Sequence, residues 1–321
     1  MIWHRIEVAG SLIDFGQDLE SITYTDKRGL EADDVEIVVI DADGRYELPS
    51  TGVTINVSFG DDLEAVEVLA VVDEVSHDGP PDKITIRGRA ANLRAEFLAV
   101  RSQSFDDTTL GAILEQIAAR HSVTLAISEE LTNLPVEHID QQYESDANFV
   151  TRLAEDYGAI ASVKHGRLVF AVAGAAQSVS GDPLESILIS RSDTISHNYQ
   201  SADRTGEVSG VEANWQDTGA AEVKTVLAGE AGNTRSIKRV YNTESAAKQA
   251  AEAELVRARR GSKSLTLNLT RLHGGVLAET PVQVLGFKPE IDAVGWVVTE
   301  ATHSYGASGC LSNIGLEVAT L

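Results

Sequence analysis

The chain has 321 residues, of which 43% are hydrophobic and 23% are charged, and its formal net charge at pH 7 is −23. This length and composition are typical of a globular protein of two or three domains and exclude a disordered chain. The acidic excess of residues 1–200 disfavours specific binding of nucleic acid, and the single Cys310 excludes an intramolecular disulfide and a multi-cysteine zinc site.

The first hundred residues contain four segments with the β-branched composition of strands. Glycine, proline or aspartate residues turn the chain between them, which predicts a small barrel or sandwich. The N-terminus lacks the basic and apolar regions of a signal peptide, and no apolar run is long enough to cross a bilayer. We therefore expect a soluble product made in the cytoplasm. The four predicted strands are 35–41, 53–59, 65–75 and 83–89.

After residue 105 the hydrophobic pattern takes the period of a helix. One helical face carries Leu110, Ile113, Leu114, Ile117, Ala118 and His121, with aspartate and threonine residues before them as caps. Strands are predicted at 124–128 and 161–172. Residues 100–173 are therefore predicted to form a small α/β module.

A linker is predicted at 174–183 because its composition is small and polar. Beyond it, Thr243 is predicted to cap an alanine-rich helix over 243–260, and Gly261 to end that helix. The strands predicted in this part of the chain are 206–215, 221–229, 234–241, 264–272 and two more before the C-terminus.

The sequence contains an internal echo. VVDEVSH at 71–77 matches VVTEATH at 297–303, and each copy follows a strand ending in glycine at the same distance, Gly60 in one case and Gly286 in the other. The shared spacing indicates duplication. We predict two related β-domains, 1–99 and 184–321, flanking the α/β module.

The segment 140–159, DQQYESDANFVTRLAEDYGA, concentrates acidic side chains around two apolar clusters. Ser145 is predicted as a helix N-cap and Gly158 as the stop, so most of the segment has a structural explanation. Glu144 and Asp146 could instead form the carboxylate pair of a glycoside hydrolase.

Other candidate sites are weaker. Glu137, His138 and Asp140 could ligate a metal, but a histidine beside carboxylates in a loop is usually a solvated turn. The HGG at 273–275 resembles an oxyanion-hole turn, yet the sequence has no Gly-x-Ser-x-Gly elbow and no nucleotide-binding loop. We predict no enzyme activity, no cofactor and no metal.

The segment 140–159 resembles the signature of phage late control protein D, the hub of contractile tails. Members carry Asp-Gln, Glu-Ser-Asp, an aromatic residue, Arg-Leu-Ala and Tyr-Gly-Ala, which all occur here in that order. Further similarity covers ADDVEI, LPSTG, GPPDKITIRG, SFDDTTLGAILEQIA and GFKPEIDAVGWVVTEATH. The hub part of type VI secretion spike proteins is more distantly similar.

This resemblance implies a β-rich α+β protein with two tail-tube-like β-barrels around the module. Three chains would form a pseudo-sixfold ring that joins the hexameric tail tube to the trimeric spike and lets DNA pass. Tape measure and other baseplate proteins are further expected partners, and the expected location is the virion tail baseplate. The candidate interface residues are Asp140, Gln141, Glu144, Ser145, Asp146, Phe149, Arg152 and Leu153.

Among these residues, Glu144, Asp146 and Arg152 are predicted to fix the module against a barrel or a neighbouring chain. Two alternatives stay open: a tail-associated cell-wall hydrolase using Glu144 and Asp146, and a hub of a secretion or bacteriocin particle.

Overall fold

The computed structural model describes residues 1–90, 95–164, 166–201, 208–217 and 219–320. The chain divides into two compact units, each built from separate segments. Unit 1 comprises Met1–Leu93, Ser186–Tyr199 and Leu265–Leu316, and unit 2 comprises Arg94–Glu185, Gln200–Ser264 and Glu317–Leu321. Among the described residues, no helix has both the length and the apolar character needed to span a membrane.

Unit 1 is dominated by one sheet of 13 strands in the order β14-β18-β21-β20-β3-β4-β7-β6-β5-β1-β2, with β19 pairing β20 and β13 pairing β19. Among the described residues, the only α-helix of unit 1 is the single turn α5, Pro289–Asp292. Its strands are β1 (Trp3–Val8), β2 (Ser11–Ile13), β3 (Leu19–Lys27), β4 (Asp34–Ile40), β5 (Thr54–Gly60), β6 (Ala65–Asp78), β7 (Lys83–Ala90), β13 (Ile187–Ser190), β14 (Thr194–Ser201), β18 (Lys263–Leu269), β19 (Pro281–Leu285), β20 (Trp296–Gly306) and β21 (Gly309–Val318).

The strands of unit 1 form because apolar and polar residues alternate along them. In β4, for example, Val35, Ile37 and Val39 are buried while the residues between them are partly exposed. Side chains of a strand point alternately to the two faces, so this pattern buries one face of the sheet in a common core. Residues that are far apart in the chain therefore share one core.

The two copies of the internal echo both lie in this sheet. Residues 71–77 belong to β6, which pairs with β5, and residues 297–303 belong to β20, which pairs with β19. Both pairs are antiparallel, but the second connection contains the helical turn α5. The repeated histidines differ in environment, because the His77 side chain is half exposed whereas His303 is buried.

Within the residues that the structure describes, unit 2 contains three small sheets: β10-β8, β11-β12-β9 and β16-β15-β17. The alanine-rich face of α4 packs on the third of these sheets. Its strands are β8 (Val100–Thr109), β9 (Thr124–Ile127), β10 (Pro135–Ser145), β11 (Ala159–Lys164), β12 (Arg167–Val172), β15 (Gly210–Asp217), β16 (Glu222–Gly229) and β17 (Thr234–Tyr241). Its helices are α1 (Leu110–Arg120), α2 (Glu129–Thr132), α3 (Asp146–Asp156) and α4 (Glu244–Arg260).

Most predicted elements are confirmed within a few residues, including the caps Thr243 and Ser145. The strand predicted at 206–215 begins at Gly210, and Gly206 and Glu207 lie outside the described residues. The prediction missed β1, β2, β3, β8, β10, β13 and β14, and three strands rather than two follow β18. Several of the missed strands, such as β8 and β10, are rich in polar residues and therefore lack clear hydrophobic alternation.

The β-rich α+β class is confirmed. The two tail-tube-like β-barrels are not confirmed: the pairing path of the 13-stranded sheet ends at β14 and β2, so this sheet is open in the described part of the chain. The N-terminal and C-terminal strands join through the β3–β20 pair. The division at residues 99, 173 and 183 stays a prediction, and segment 174–183 is irregular apart from an isolated bridge between Gln177 and Pro183.

Candidate functional site

The segment 140–159 folds as the end of β10, the helix α3 and the start of β11, all in unit 2. The Ser145 hydroxyl accepts a hydrogen bond from the Asn148 backbone N–H at 3.2 Å, which satisfies one of the free N–H groups of the first turn. The helix stops at Gly158, whose φ of 63° is easily reached only without a Cβ. Local sequence therefore fixes both ends of α3.

Asp146 lies in the first turn of α3 and is completely buried. Arg120 Nη1 donates to both carboxylate oxygens at 2.7 and 2.8 Å, and Gln141 Nε2 donates to Oδ1 at 2.8 Å. His121 Nε2 lies 2.7 Å from Oδ2, and Arg101 Nε lies 3.2 Å from the same atom. The carboxylate thus joins β8, α1, β10 and α3.

The pKa of Asp146 reflects a balance between two opposing effects. Burial alone would raise this pKa, because a charged carboxylate is poorly solvated inside a protein. The hydrogen bonds from Gln141, Arg120 and His121 outweigh burial and hold the pKa below its ordinary value. Asp146 is therefore ionised at neutral pH and acts as a structural anion.

Arg152, two turns further along α3, binds back to β10. Its guanidinium donates to Glu144 Oε2 at 2.7 Å and to the Asp140 carbonyl at 2.8 Å, and it lies 5.0 Å from the centre of the Phe149 ring. Phe149 in turn stacks on Phe105 of β8. This arrangement holds the end of β10 against α3.

A bulge interrupts β10 between Gln141 and Glu144. Tyr143 has a φ of 49° there and a side chain that is 83% exposed. The Gln141 side chain donates to the Glu144 carbonyl at 3.0 Å and closes the bulge. Tyr143 was not among the predicted interface residues.

The eight predicted interface residues fall into two groups in the structure. Three lie partly at the surface: Asp140, Glu144 and Arg152. Five are buried inside unit 2, where they organise the β10–α3 connection: Gln141, Ser145, Asp146, Phe149 and Leu153. An interface role for these residues stays a prediction.

The structure argues against the carboxylate pair of a glycoside hydrolase. Asp146 is inaccessible and Glu144 is paired with Arg152, so the two carboxylates do not flank a substrate cleft. Glu137, His138 and Asp140 lie on β10 rather than in a loop, and no metal-binding cluster occurs among the described residues.

The HGG segment at 273–275 is explained by packing. A Cβ on Gly274 would lie 2.4 Å from the Ala65 carbonyl oxygen, so the close approach of two backbones requires glycine there. The His273 backbone N–H donates to the Ser312 hydroxyl at 2.9 Å, which also lies 2.8 Å from His303 Nδ1.

Sequence reasoning missed a groove in unit 2, with a volume of about 450 Å³, between β10 and the β17–α4 connection. Its lining includes Asp156, whose carboxylate accepts hydrogen bonds from the Arg239 guanidinium and, at 3.0 Å, from the Tyr241 hydroxyl. Burial raises the pKa of Asp156 despite the nearby Arg239, and it raises the pKa of Tyr241 to about 12. These residues lie too far apart in the chain for a sequence motif to link them.

Comparison with known proteins places these features in a family. The model of the family described as phage tail baseplate hub (GPD) matches residues 35–309. A probable baseplate hub protein of Escherichia phage 186 is 35% identical to the chain, over 95% of this chain and 89% of that protein.

Solved structures share the fold at low identity. The 43 kDa tail protein of prophage MuSo2 from Shewanella oneidensis has a TM-score of 0.70 at 15% identity, over 98% of this chain and 97% of its own. A component of the Escherichia coli type VI secretion system has a TM-score of 0.55 at 14% identity, over 98% and 77% of the two chains.

Proposed function

The chain belongs to the phage tail baseplate hub (GPD) family, whose members are components of the virion tail, and we propose that it is the non-catalytic hub of a contractile phage-like tail. In this proposal, three copies form a pseudo-sixfold ring. The ring contacts the hexameric tail tube on one side and the trimeric spike on the other, and DNA passes through it.

The observation that carries the proposal is the shared sheet of unit 1. Both echo segments lie in it, and the N-terminal and C-terminal strands meet at the β3–β20 pair. In the proposal these two sets of strands are the two copies of one ring-forming unit, so three chains would supply six. An open sheet has unpaired edges that favour pairing with another chain, and ring closure in a trimer would cover them. The two predicted β-barrels would then be complete only in the assembly.

The acidic composition fits passage of DNA. Wall charge acts over a Debye length of about 8 Å at physiological salt, so a negatively charged bore would repel the phosphate backbone without closing the channel. Tape measure and other baseplate proteins are further proposed partners, and the host cytoplasm is the proposed place of synthesis.

We propose an interface role only for those residues of segment 140–159 that lie at the surface. Glu144 and Arg152 hold β10 against α3, so we propose that they shape the surface that a barrel or a neighbouring chain contacts. Replacing Arg152 with alanine should then lower the yield of assembled trimer without unfolding the chain.

Native mass spectrometry of the purified chain, alone and mixed with its spike protein, tests the proposal. A trimer bound to a spike trimer is the expected species. A chain that stays monomeric with the spike, or that forms rings of another order, would refute the pseudo-sixfold arrangement. Clearing of peptidoglycan in a zymogram would instead favour a cell-wall hydrolase, with residues other than Glu144 and Asp146.

A further inference from the structure

The groove between β10 and the β17–α4 connection contains several hydrogen-bonding groups that have no partner in the protein. Its volume of about 450 Å³ lies within the range of roughly 300–1,000 Å³ that small-molecule sites occupy. Most of the side chains that line it are polar or charged, although Ile139 and Val240 add apolar surface. Polar groups without protein partners in such a cavity mark the atoms that a ligand would contact.

Arg239 keeps unused donors at this groove. Its hydrogen bonds to the described residues are made by Nη2, to Asp156 and, at 2.8 Å, to the Tyr241 hydroxyl. Nε is buried without a partner among these residues, and Nη1 makes no hydrogen bond in this part of the chain. A guanidinium carries five N–H donors, so a ligand oxygen beside Nη1 would satisfy donors that the protein leaves unpaired.

Three other groups at the groove are also unpaired. Asp156 accepts both of its hydrogen bonds through Oδ1, and Oδ2 accepts none from the described residues. Arg152 donates through Nε and Nη2, which leaves Nη1 without an acceptor in that part of the chain. The Tyr157 hydroxyl has no partner among the same residues, and burial raises the pKa of Tyr157 to about 12, so the hydroxyl stays protonated at neutral pH. The groove therefore offers two guanidinium donors, one carboxylate acceptor and one hydroxyl.

The charges of the two guanidinium groups are already balanced. Asp156 compensates Arg239, and Glu144 compensates Arg152. The groups that remain unpaired on both arginines are N–H donors. A cationic ligand group such as an ammonium offers only donors of its own, so it would leave these arginines unsatisfied.

The β10 side of the groove disfavours an anion. Glu137 is exposed and has no ion pair among the described residues. Asp140 shares the His138 imidazole with Asp106. Even a protonated His138 leaves an excess of carboxylate here, which repels a negatively charged ligand. The groove therefore fits a ligand without net charge that both donates and accepts hydrogen bonds.

A sugar ring has this chemistry. Each hydroxyl is both a donor and an acceptor, so one hydroxyl can donate to Asp156 Oδ2 while a neighbouring hydroxyl accepts from Arg239 Nη1. Planar guanidinium and carboxylate groups present two donors or two acceptors side by side, which matches a pair of adjacent hydroxyls. A peptide helix or a polyproline segment would instead need a continuous apolar or aromatic surface, which the polar side chains interrupt.

We propose that this groove binds a neutral oligosaccharide through the unpaired groups of Asp156, Arg239 and Tyr157. Arg152 would bind a further hydroxyl on the β10 side. Binding depends on the groove alone and not on the proposed ring, so it can be measured on the isolated chain. About four net hydrogen bonds correspond to a Kd of roughly 1 mM for a single glycan, so the assay must detect weak binding.

The first probe is an array of immobilised neutral oligosaccharides, each printed beside the same glycan carrying a sulfate group. The full chain is displayed on fluorescent beads, because many weak contacts together retain a bead that one contact would not. We expect some of the neutral glycans to retain the beads and their sulfated counterparts to bind about ten-fold more weakly. Saturation-transfer NMR with one selected glycan then measures the Kd in solution.

Two matched pairs of variants test the binding groups. Arg239→Lys keeps a cation beside Asp156 but removes Nη1, and it should weaken binding about ten-fold, the loss expected for a hydrogen bond from a charged donor. Arg167→Lys makes the same change at an exposed position of β12, outside the groove, and should leave the Kd unchanged. Tyr157→Phe removes only the hydroxyl and should weaken binding about five-fold. Tyr143→Phe makes that change at an exposed side chain outside the groove and should have no effect.

Hydrogen exchange on the native chain locates the site without any variant, so the site is testable even if Arg239→Lys does not fold. The selected glycan should slow exchange in the segments 134–142, 152–157 and 239–249, which contain the residues that line the groove. Three results would overturn the site: no neutral glycan is selected, sulfated glycans bind as tightly as their neutral counterparts, or the selected glycan protects other segments instead. Equal Kd values for Arg239→Lys and Arg167→Lys would overturn it as well.

Discussion

Replacing Asp146 with asparagine tests the buried ion network of unit 2. The substitution keeps the volume and one acceptor oxygen but removes the charge that compensates Arg120, whose guanidinium donates to both carboxylate oxygens. His121 is 1% exposed and cannot turn to water for a new partner. Gln141 then competes with these donors for a single oxygen.

Breaking a buried ion pair by removing one partner costs roughly 3–5 kcal/mol, because the other charge stays buried without compensation. Total domain stability is only about 5–15 kcal/mol, so this loss is a large fraction of it. At about 2–4 °C per kcal/mol for a unit of this size, Tm should fall by roughly 6–20 °C.

Urea unfolding followed by circular dichroism, together with calorimetry, measures the loss. The control is Glu115→Gln, the same acid-to-amide change at an exposed position of α1. The folded pKa of Asp146 is lowered, so its contribution is complete above the unfolded pKa of about 4 and is lost as pH falls through the folded pKa. The difference between wild type and Asp146→Asn should therefore be constant from about pH 5 to 8. A loss under about 1 kcal/mol, or one that disappears at pH 5, would show that the network is not a stabilising anion site.

Three further changes have defined outcomes. Gly274→Ala should destabilise unit 1 by about 1–3 kcal/mol in urea unfolding because its Cβ meets the Ala65 carbonyl, whereas Gly275→Ala meets nothing within 4 Å; equal effects would contradict this account. Tyr143→Asn should be neutral or stabilise by up to about 1 kcal/mol, since asparagine tolerates positive φ and the lost side chain is exposed; a clear loss would show that Tyr143 packs in the chain. Burial lowers the pKa of His303, so stability should fall as pH drops below about 6.5, and His303→Gln should lose this part of the pH dependence. An unchanged pH profile would mean that the pKa of His303 is the same in the folded and the unfolded chain.

The sequence by itself determined the elements whose signals are local. The periodic apolar residues and the caps Ser145 and Thr243 define α3 and α4, because a helix is specified by residues within a few positions of each other. Alternating strands such as β4 were equally clear. The segment 140–159 also carried enough of the family pattern to indicate a tail hub.

Only the tertiary structure decided what the polar residues do. Asp146 reads as one acidic residue among many until the fold brings Arg101, Arg120 and His121 to it. The groove between β10 and the β17–α4 connection joins segments far apart in the chain, and so does the β3–β20 pair. Neither leaves a periodic signal in the sequence. Polar strands such as β10 were missed because they depend on these long-range contacts, whereas the buried apolar faces of helices are encoded locally.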